Sequence, residues 1–599
     1  YDAPAHYRKL DALMLTDNWQ DIVNGGYLSG GGDGSNTPPP SSSSGGDSGG
    51  GSGGSGCGFV KDINGKGQKA KGEGLSLIIM LIITLAGIAL VRRVRYLKSI
   101  LFFIIFLFHF SIANATEYYV DQNNSQSSDS NAGTEVLPWK TIQKAADTMV
   151  AGDTVLIKEG IYSKNGTCNT GENVCAIAPK NSGTIGNPIT FKAYPGHKVI
   201  IDQNFEYVGF LILAKDYITI DGLEIRRALT AGIWAKYLSY PKTVKGLIIQ
   251  NNIIHEITGP FAGNIGAIRA DSVEGAIIRN NSLYNISIEG GKENASGIHN
   301  YDLTDSIVEN NEIWNAVNGI FYKRQFGDKG QITRYNYIHD VSIGIRFNTS
   351  PPSSGITYGA VNHTVYNNII YKTNNGISMW ECDDVISSNN KFYNNTIIDA
   401  PIGINMASGS GANIETTQMW NNIFYNTIDG GNQWETNLIR IDKTSYILLS
   451  NYNNFYESTQ WQPISWNTQY YALSGYQSAS GFDANSISAD PLFVDKANQD
   501  FHLQSSSPAK GKGLGGVDMG AYATGNEVIG PTDGGTGGGG GNTPPPSSGS
   551  GGDSGGGSSG GSGCGFVKDD NGKGPRAKGE GLSFAIMLII ALTGIALVR

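Results

Sequence analysis

The 599-residue chain holds 82 glycines, and only 16% of its residues are charged, which excludes one uniform globular domain. A net charge of -9 argues against the basic surface by which proteins neutralise nucleic-acid phosphates, so no nucleic-acid partner is expected. The five cysteines, Cys57, Cys168, Cys175, Cys382 and Cys564, fit neither a zinc site nor a dense disulfide scaffold. Only Cys168 and Cys175 are close enough in sequence to suggest a loop disulfide.

Residues 1–30 read as the remnant of an upstream domain, and 31–56 as a Gly/Ser/Pro linker. The segment 57–92 recurs at 564–599 with seven differences. Each copy contains an apolar stretch, 75–91 or 582–598, just long enough to cross a bilayer as a helix, and then meets Arg. This order of small-residue linker, short motif, apolar helix and basic end resembles bacterial C-terminal sorting tails. The resemblance makes Cys57 and Cys564 the positions of processing or attachment. Residues 94–115 have a basic start, an apolar middle and Ala113-Asn114-Ala115 in the form cut by signal peptidase. Two readings fit this arrangement. Either the tail of one exported protein is joined to a second one beginning at Thr116, or 75–91 and 99–115 form a membrane hairpin.

Residues 139–150 read as an amphipathic helix placed to cap the first coil of a repeating domain. From 246 onward an Asn recurs at 252, 281, 311, 336, 368, 395 and 422, inside phrases such as GLIIQNNIIHEI and HTVYNNIIYKT. Between these phrases lies a second one: AGIWAKY, GAIRADS, SGIHNYD, NGIFYKR, IGIRFNT, NGISMWE and IGINMAS. Each repeat thus holds two short β-rich runs separated by turn residues, which predicts an all-β right-handed parallel β-helix over 116–526. Stacked coils would align the Asn side chains in a ladder and fill the bore with Ile and Val. His255 and His339 fall at equivalent repeat positions and read as packing residues, while 456–476, with Trp461 and Trp466, reads as a long loop over one face. Residues 527–563 form a second Gly/Ser/Pro stalk before the tail at 564–599.

The segment AGDTVLIKEGIY and its surroundings resemble the opening of secreted β-helix proteins of the polysaccharide-lyase, pectin-lyase-like group. ADPLFVDKANQDFHLQSSSPAKGKGLGGVDMGAY resembles the terminal coil of bacterial β-helix surface proteins. The resemblance implies a secreted protein that acts on or binds carbohydrate, held at the cell envelope, and expected to be a monomer.

Alternation along the second phrase gives two outward columns: Trp234, Arg269, His299, Phe321, Arg346, Ser378, Asn405, and Lys236, Asp271, Tyr301, Lys323, Asn348, Trp380, Ala407. β-Elimination of a uronic-acid polysaccharide needs a cation to neutralise the carboxylate and a base to take the C5 proton. Lys323 is the candidate base and Arg346 the carboxylate neutraliser. Arg269 and His299 would hold neighbouring uronates, and Tyr301 lies beside them. Lys236, Asp271, Trp234, Trp380 and Asn348 complete the substrate face. Related lyases use calcium, and Glu381, Asp383 and Asp384 offer hard oxygen ligands for it; an acidic turn without metal is the alternative. Two further readings stay open. One is a surface glycan-binding or structural protein without catalysis; the other is a glycoside hydrolase, which would need two facing carboxyl groups where the columns offer only Asp271.

Overall fold

The computed structural model describes residues 115–532, except 164–167, 170–173, 207, 238–241, 260–262, 289–293, 325–328, 349–357, 382–385, 409–412, 428–436 and 459–461. These belong to the second of two compact units, which begins at Asn114. The spans at 75–91 and 582–598, Cys57 and Cys564, and Ala113 and Asn114 of the cleavage-like motif lie outside the described residues. No helix among the described residues is long and apolar enough to cross a membrane.

A 12-stranded parallel sheet starts with Glu117–Val120 and Thr154–Ile157 and runs through Ile248–Gln250 and Ile277–Arg279 to Ile447–Asn451. A second, larger sheet holds both halves of each repeat, the strand after the Asn and the Gly-Ile strand. Because the pairings that join one repeat to the next are parallel, the chain winds as a β-helix. The bore is apolar. Ile233, Ile268, Ile298, Ile320, Ile345, Ile377 and Ile404 stack in register, all completely buried.

The repeated Asn-Asn pair has two separate jobs. Its first member turns the corner in the left-handed region, as at Asn251, Asn280 and Asn310, a conformation that Asn tolerates better than most L-residues. Its second member forms the ladder. Asn281 Oδ1 accepts from both Asn252 N and Asn252 Nδ2 at 3.0 Å, and the pattern continues through Asn311, Asn336, Asn368, Asn395 and Asn422 to Asn453. The Gly of the second phrase answers a steric demand: a Cβ on Gly344 would lie 2.5 Å from Gly376 O and 2.6 Å from Ile370 Cγ2.

The N-terminal helix spans Ile142–Thr148, shorter than the sequence suggests, with Thr141 as its N-cap. It occupies the interval between the first two strands of the 12-stranded sheet, where later coils place strands of the second sheet. Gln143 exchanges hydrogen bonds with Ala178 at 2.9 and 3.1 Å just beyond the strand Val174–Ile177. Nearby, the backbones of Cys168 and Cys175 lie opposite each other in an antiparallel pair, and Cys175 is disulfide-bonded. His255, Tyr284, Trp314 and His339 stack ring on ring along the outside, with neighbouring centroids 4.3–5.7 Å apart.

The C-terminal part differs from expectation in two ways. Residues 456–476 are not a long loop: Ile464–Trp466 pairs parallel with Asn437–Ile441 and extends the coil, with Ile464 and Trp466 buried; Trp461 lies outside the described residues. The closing segment is not a terminal coil either. It folds back along the outside, where Phe493, Phe501, Met519 and Tyr522 form a second apolar cluster with Ile369, Tyr371, Ile398 and Ile423. Its backbone climbs from Asn421, which accepts from Gly520 N at 2.7 Å, to Tyr335, which accepts from Gly530 N at 2.8 Å.

Candidate functional site

The first outward column is observed in the expected register: Trp234, Arg269, His299, Phe321, Arg346, Ser378 and Asn405 are consecutive pairing partners. The second is not. Lys236, Asp271 and Tyr301 pair as expected, but Tyr301 faces Arg324, because the ladder steps from Tyr322 past Lys323. Lys323 is therefore the extra residue of a β-bulge, a feature that bends a strand and re-aims a side chain.

That re-aimed side chain reaches back two coils. Lys323 Nζ donates to Asn264 Oδ1 at 2.8 Å and lies 5.3 Å from the Tyr301 ring and 5.9 Å from the Phe321 ring. The Arg346 guanidinium stands 4.9 Å over the same Phe321 ring. Arg269 is held on all sides: Nη1 donates to Asn264 O at 3.0 Å, Nε and Nη2 reach Asp271 at 3.2 and 2.9 Å, and its plane lies 4.1 Å over Trp234. Trp234 Nε1 donates to Asp271 Oδ2 at 2.8 Å, and Lys236 Nζ lies 4.4 Å over the same indole. Lys236, Arg269, Lys323 and Arg346 are all half-buried, as are Tyr301, Asn348 and Trp380. Asn348 N donates to Tyr322 O at 3.1 Å, which puts it next to the bulge. Trp380 pairs with Ala407, one residue before its strand ends at Glu381.

Two expected contact residues are corrected by their burial. His299 is 0% exposed: Lys323, from the next coil, reaches back across it to Asn264, and the Phe321 ring packs edge-on against it at 5.1 Å. It has no surface for a uronate, and its Nε2 has no hydrogen-bond partner. Burial and the charges of Arg269, Lys323 and Arg346 push its pKa well below the ordinary imidazole value, so the ring is neutral. Trp234 is 7% exposed, with its ring covered by Arg269 and Lys236, so it supports cations instead of stacking on a sugar.

The proposed calcium ligands cannot be placed: Asp383 and Asp384, and the side chain of Glu381, lie outside the described residues. Among the described residues no group of three or more His, Cys, Asp or Glu could hold a metal ion. Among the described columns the one carboxylate, Asp271, is engaged by Trp234 and Arg269.

Asn264 and the Phe321 ring are the parts that sequence reading did not select. Asn264 sits just before the Gly-Ile phrase, in no repeat position, and its polar side chain there is the only hint.

A parallel β-helix with cations and aromatic rings gathered on one outer wall defines the class. Residues 118–395 match the family described as the Pel9A-like, right handed beta helix region. The chain is 26% identical over 482 residues to the uncharacterized protein YwoF of Bacillus subtilis (strain 168), covering 65% of this chain and 92% of that protein. Among solved structures it is similar to pectate lyase Pel9A, with 15% identity, 68% of this chain and 96% of that one covered, and a TM-score of 0.45. It is also similar to a rhamnogalacturonan lyase, at 17% identity, 54% and 84% coverage, and a TM-score of 0.32.

Proposed function

We propose that this chain binds an acidic polysaccharide along the wall formed by the Gly-Ile strands and cleaves it by β-elimination. The observation that carries the reading is charge. Lys236, Arg269, Lys323 and Arg346 gather on neighbouring coils, and their one described column carboxylate, Asp271, is spent on Trp234 and Arg269. Such a wall suits a polyanion, and coils spaced by about 4.8 Å offer contacts to successive sugars of one chain. The match of residues 118–395 to the Pel9A-like family supports the same reading.

In this reading Arg346 neutralises the uronate carboxylate, which acidifies the C5 proton. Lys323, in its neutral form, takes that proton; the C4–O bond breaks, a C4–C5 double bond forms, and the departing oxygen acquires a proton. Arg269 holds a neighbouring uronate, and Tyr301 packs against the base. Trp380 offers a half-buried ring at the far end of the face. Export and anchoring at the cell envelope through the flanking tails belong to the same proposal.

A hydrolase is less well supported, because Asp271 is fixed by three donor contacts and Asp302 is buried, leaving no facing pair of free carboxylates among the described columns. The test is to incubate the full chain with pectate, alginate and glycosaminoglycans, with and without calcium, and follow the ultraviolet absorbance of the unsaturated uronate product. A rise that is lost in Lys323→Ala supports the lyase. No rise on any substrate, with retained binding to the same polyanions, would leave a glycan-binding protein.

A further inference from the structure

We propose that Asn264 is a positioning residue of this site: its side-chain amide fixes the Lys323 amine, and its backbone carbonyl fixes Arg269. Its kinetic consequence rests on the lyase reading above; its structural one does not.

A bulged residue is left out of the strand ladder, so neighbouring pairs do not set where its side chain points. A lysine side chain also carries roughly 2 kcal/mol of rotamer entropy, so holding its amine at one place needs a dedicated partner. Asn264 supplies that partner, with Oδ1 at 2.8 Å from Nζ. The acceptor is itself anchored. Asn264 O takes Arg269 Nη1 at 3.0 Å, and the next residue, Ile265, donates its N to Asn294 O at 3.0 Å. Arg269 is in turn locked by Asp271, which also receives Trp234 Nε1. The chain Trp234, Asp271, Arg269, Asn264, Lys323 therefore runs as one series of hydrogen bonds from the coil of Trp234 to that of Lys323.

The residue type matters as much as the place. A neutral amide holds the amine without supplying a counter-charge, whereas a carboxylate at 264 would stabilise the ammonium form and oppose its use as a base. Trp234 and Asp271 thereby act at a distance, by fixing the guanidinium that pins Asn264.

The experiment labels the full chain at lysine Cε and follows the Lys323 resonance, assigned by its loss in Lys323→Arg, through a pH titration by NMR. Asn264→Asp should move the Lys323 midpoint up by about one unit, as an added neighbouring carboxylate does. Asn264→Ala should move it down, by removing an acceptor of the charged form. Opposite shifts are a result that a merely structural role would not give. If the chain is active, Asn264→Ala should lower kcat roughly tenfold with little change in KM, and Asn264→Asp should move the alkaline rise of activity to higher pH. An unmoved midpoint in both variants, or in Asn264→Ala alone should Asn264→Asp fail to fold, overturns the positioning role. A chain that cleaves nothing but shows the shifts would overturn the lyase reading and leave the positioning role standing.

Discussion

Asn453 Nδ2 donates to Asp483 Oδ1 at 2.9 Å, so the buried amide ladder ends on a carboxylate. Ser486 Oγ donates to the same oxygen, while Asp483 Oδ2 and Tyr476 Oη are buried without hydrogen-bond partners. Burial raises the Asp483 pKa above the usual carboxylate value, against the lowering effect of its hydrogen bonds. The folded state therefore keeps the proton at pH values where the unfolded chain, with a pKa of about 3.9, has lost it. Stability falls as pH rises from the unfolded value through the raised folded one, and the loss is complete above it. Asp483→Asn keeps the accepting oxygen, offers Nδ2 to Tyr476 and cannot ionise. It should stabilise the chain at neutral pH by about 1–2 kcal/mol and flatten the fall that sets in above the unfolded carboxylate value of about 3.9. Urea unfolding at a series of pH values decides this; a variant with the wild-type pH profile would mean that Asp483 does not carry the effect.

The adjacent residues Asn280 and Asn281 should respond oppositely to substitution. Asn281 joins three neighbours: it accepts from Asn252 and donates to Asn311 Oδ1 and Ile249 O, all in the buried interior. Asn281→Ala leaves several buried polar groups unpaired, at about 1–3 kcal/mol for each group that water cannot reach. Asn280 serves mainly by its φ of 54°, so Asn280→Gly should be nearly neutral, and Asn280→Val should cost at least about 1 kcal/mol. Thermal unfolding of the three variants provides the comparison. Equal losses in Asn281→Ala and Asn280→Gly would contradict the division of labour within the pair.

The ladder and the first column were legible in the sequence because each is marked by a local repeat. Asn-Asn signals a left-handed corner followed by an inward amide, and Gly-Ile fixes which face the next residue takes. The bulge at Lys323 leaves no such mark, since one inserted residue after Tyr322 looks like continued alternation. Burial of His299 was hidden for a different reason. A side chain some 24 residues later, Lys323, reaches back across it, and strand alternation describes backbone facing, not where long neighbours fold across it. Trp234 is concealed in the same way by Arg269 and Lys236. The fold-back after Ile487 depends on an apolar patch of Ile369, Ile398 and Ile423 on the outer wall, whose partner lies about a hundred residues away in sequence.

Trp234 and Trp380 should separate in their behaviour, although alternation alone puts both on the substrate face. Trp234 is buried, donates to Asp271 and underlies two cations, so Trp234→Ala should cost about 3–5 kcal/mol of stability, as for a core tryptophan. Trp380 is half-buried one residue before the end of its strand, and Trp380→Ala should leave unfolding within about 1 kcal/mol of wild type while weakening binding to oligosaccharide. Calorimetric unfolding paired with oligosaccharide titration tests both. Loss of sugar binding in Trp234→Phe, with the unfolding temperature unchanged, would return that indole to the substrate face.

Arg346 and Lys323 flank one phenyl ring, Phe321, yet the two roles proposed for them predict different kinetics. A neutralising guanidinium is needed both to hold the uronate and to stabilise the charge that grows as C5 loses its proton. Arg346→Gln should therefore raise KM and lower kcat, by about 10²–10³ in kcat. Arg346→Lys should recover part of the binding and less of the rate, because an ammonium lacks the planar fork that matches a carboxylate. Lys323→Ala should lower kcat by about 10²–10⁴ with little change in KM, as removal of a base does. The wall's four cations add a salt signature: binding of the polyanion to Lys323→Ala should still weaken as ionic strength rises, since Lys236, Arg269 and Arg346 remain. Steady-state kinetics of the three variants, with equilibrium binding at two salt concentrations, measures all of this. A Lys323→Ala variant with wild-type kcat and raised KM would make Lys323 a binding cation, and the base would have to be sought elsewhere on the wall.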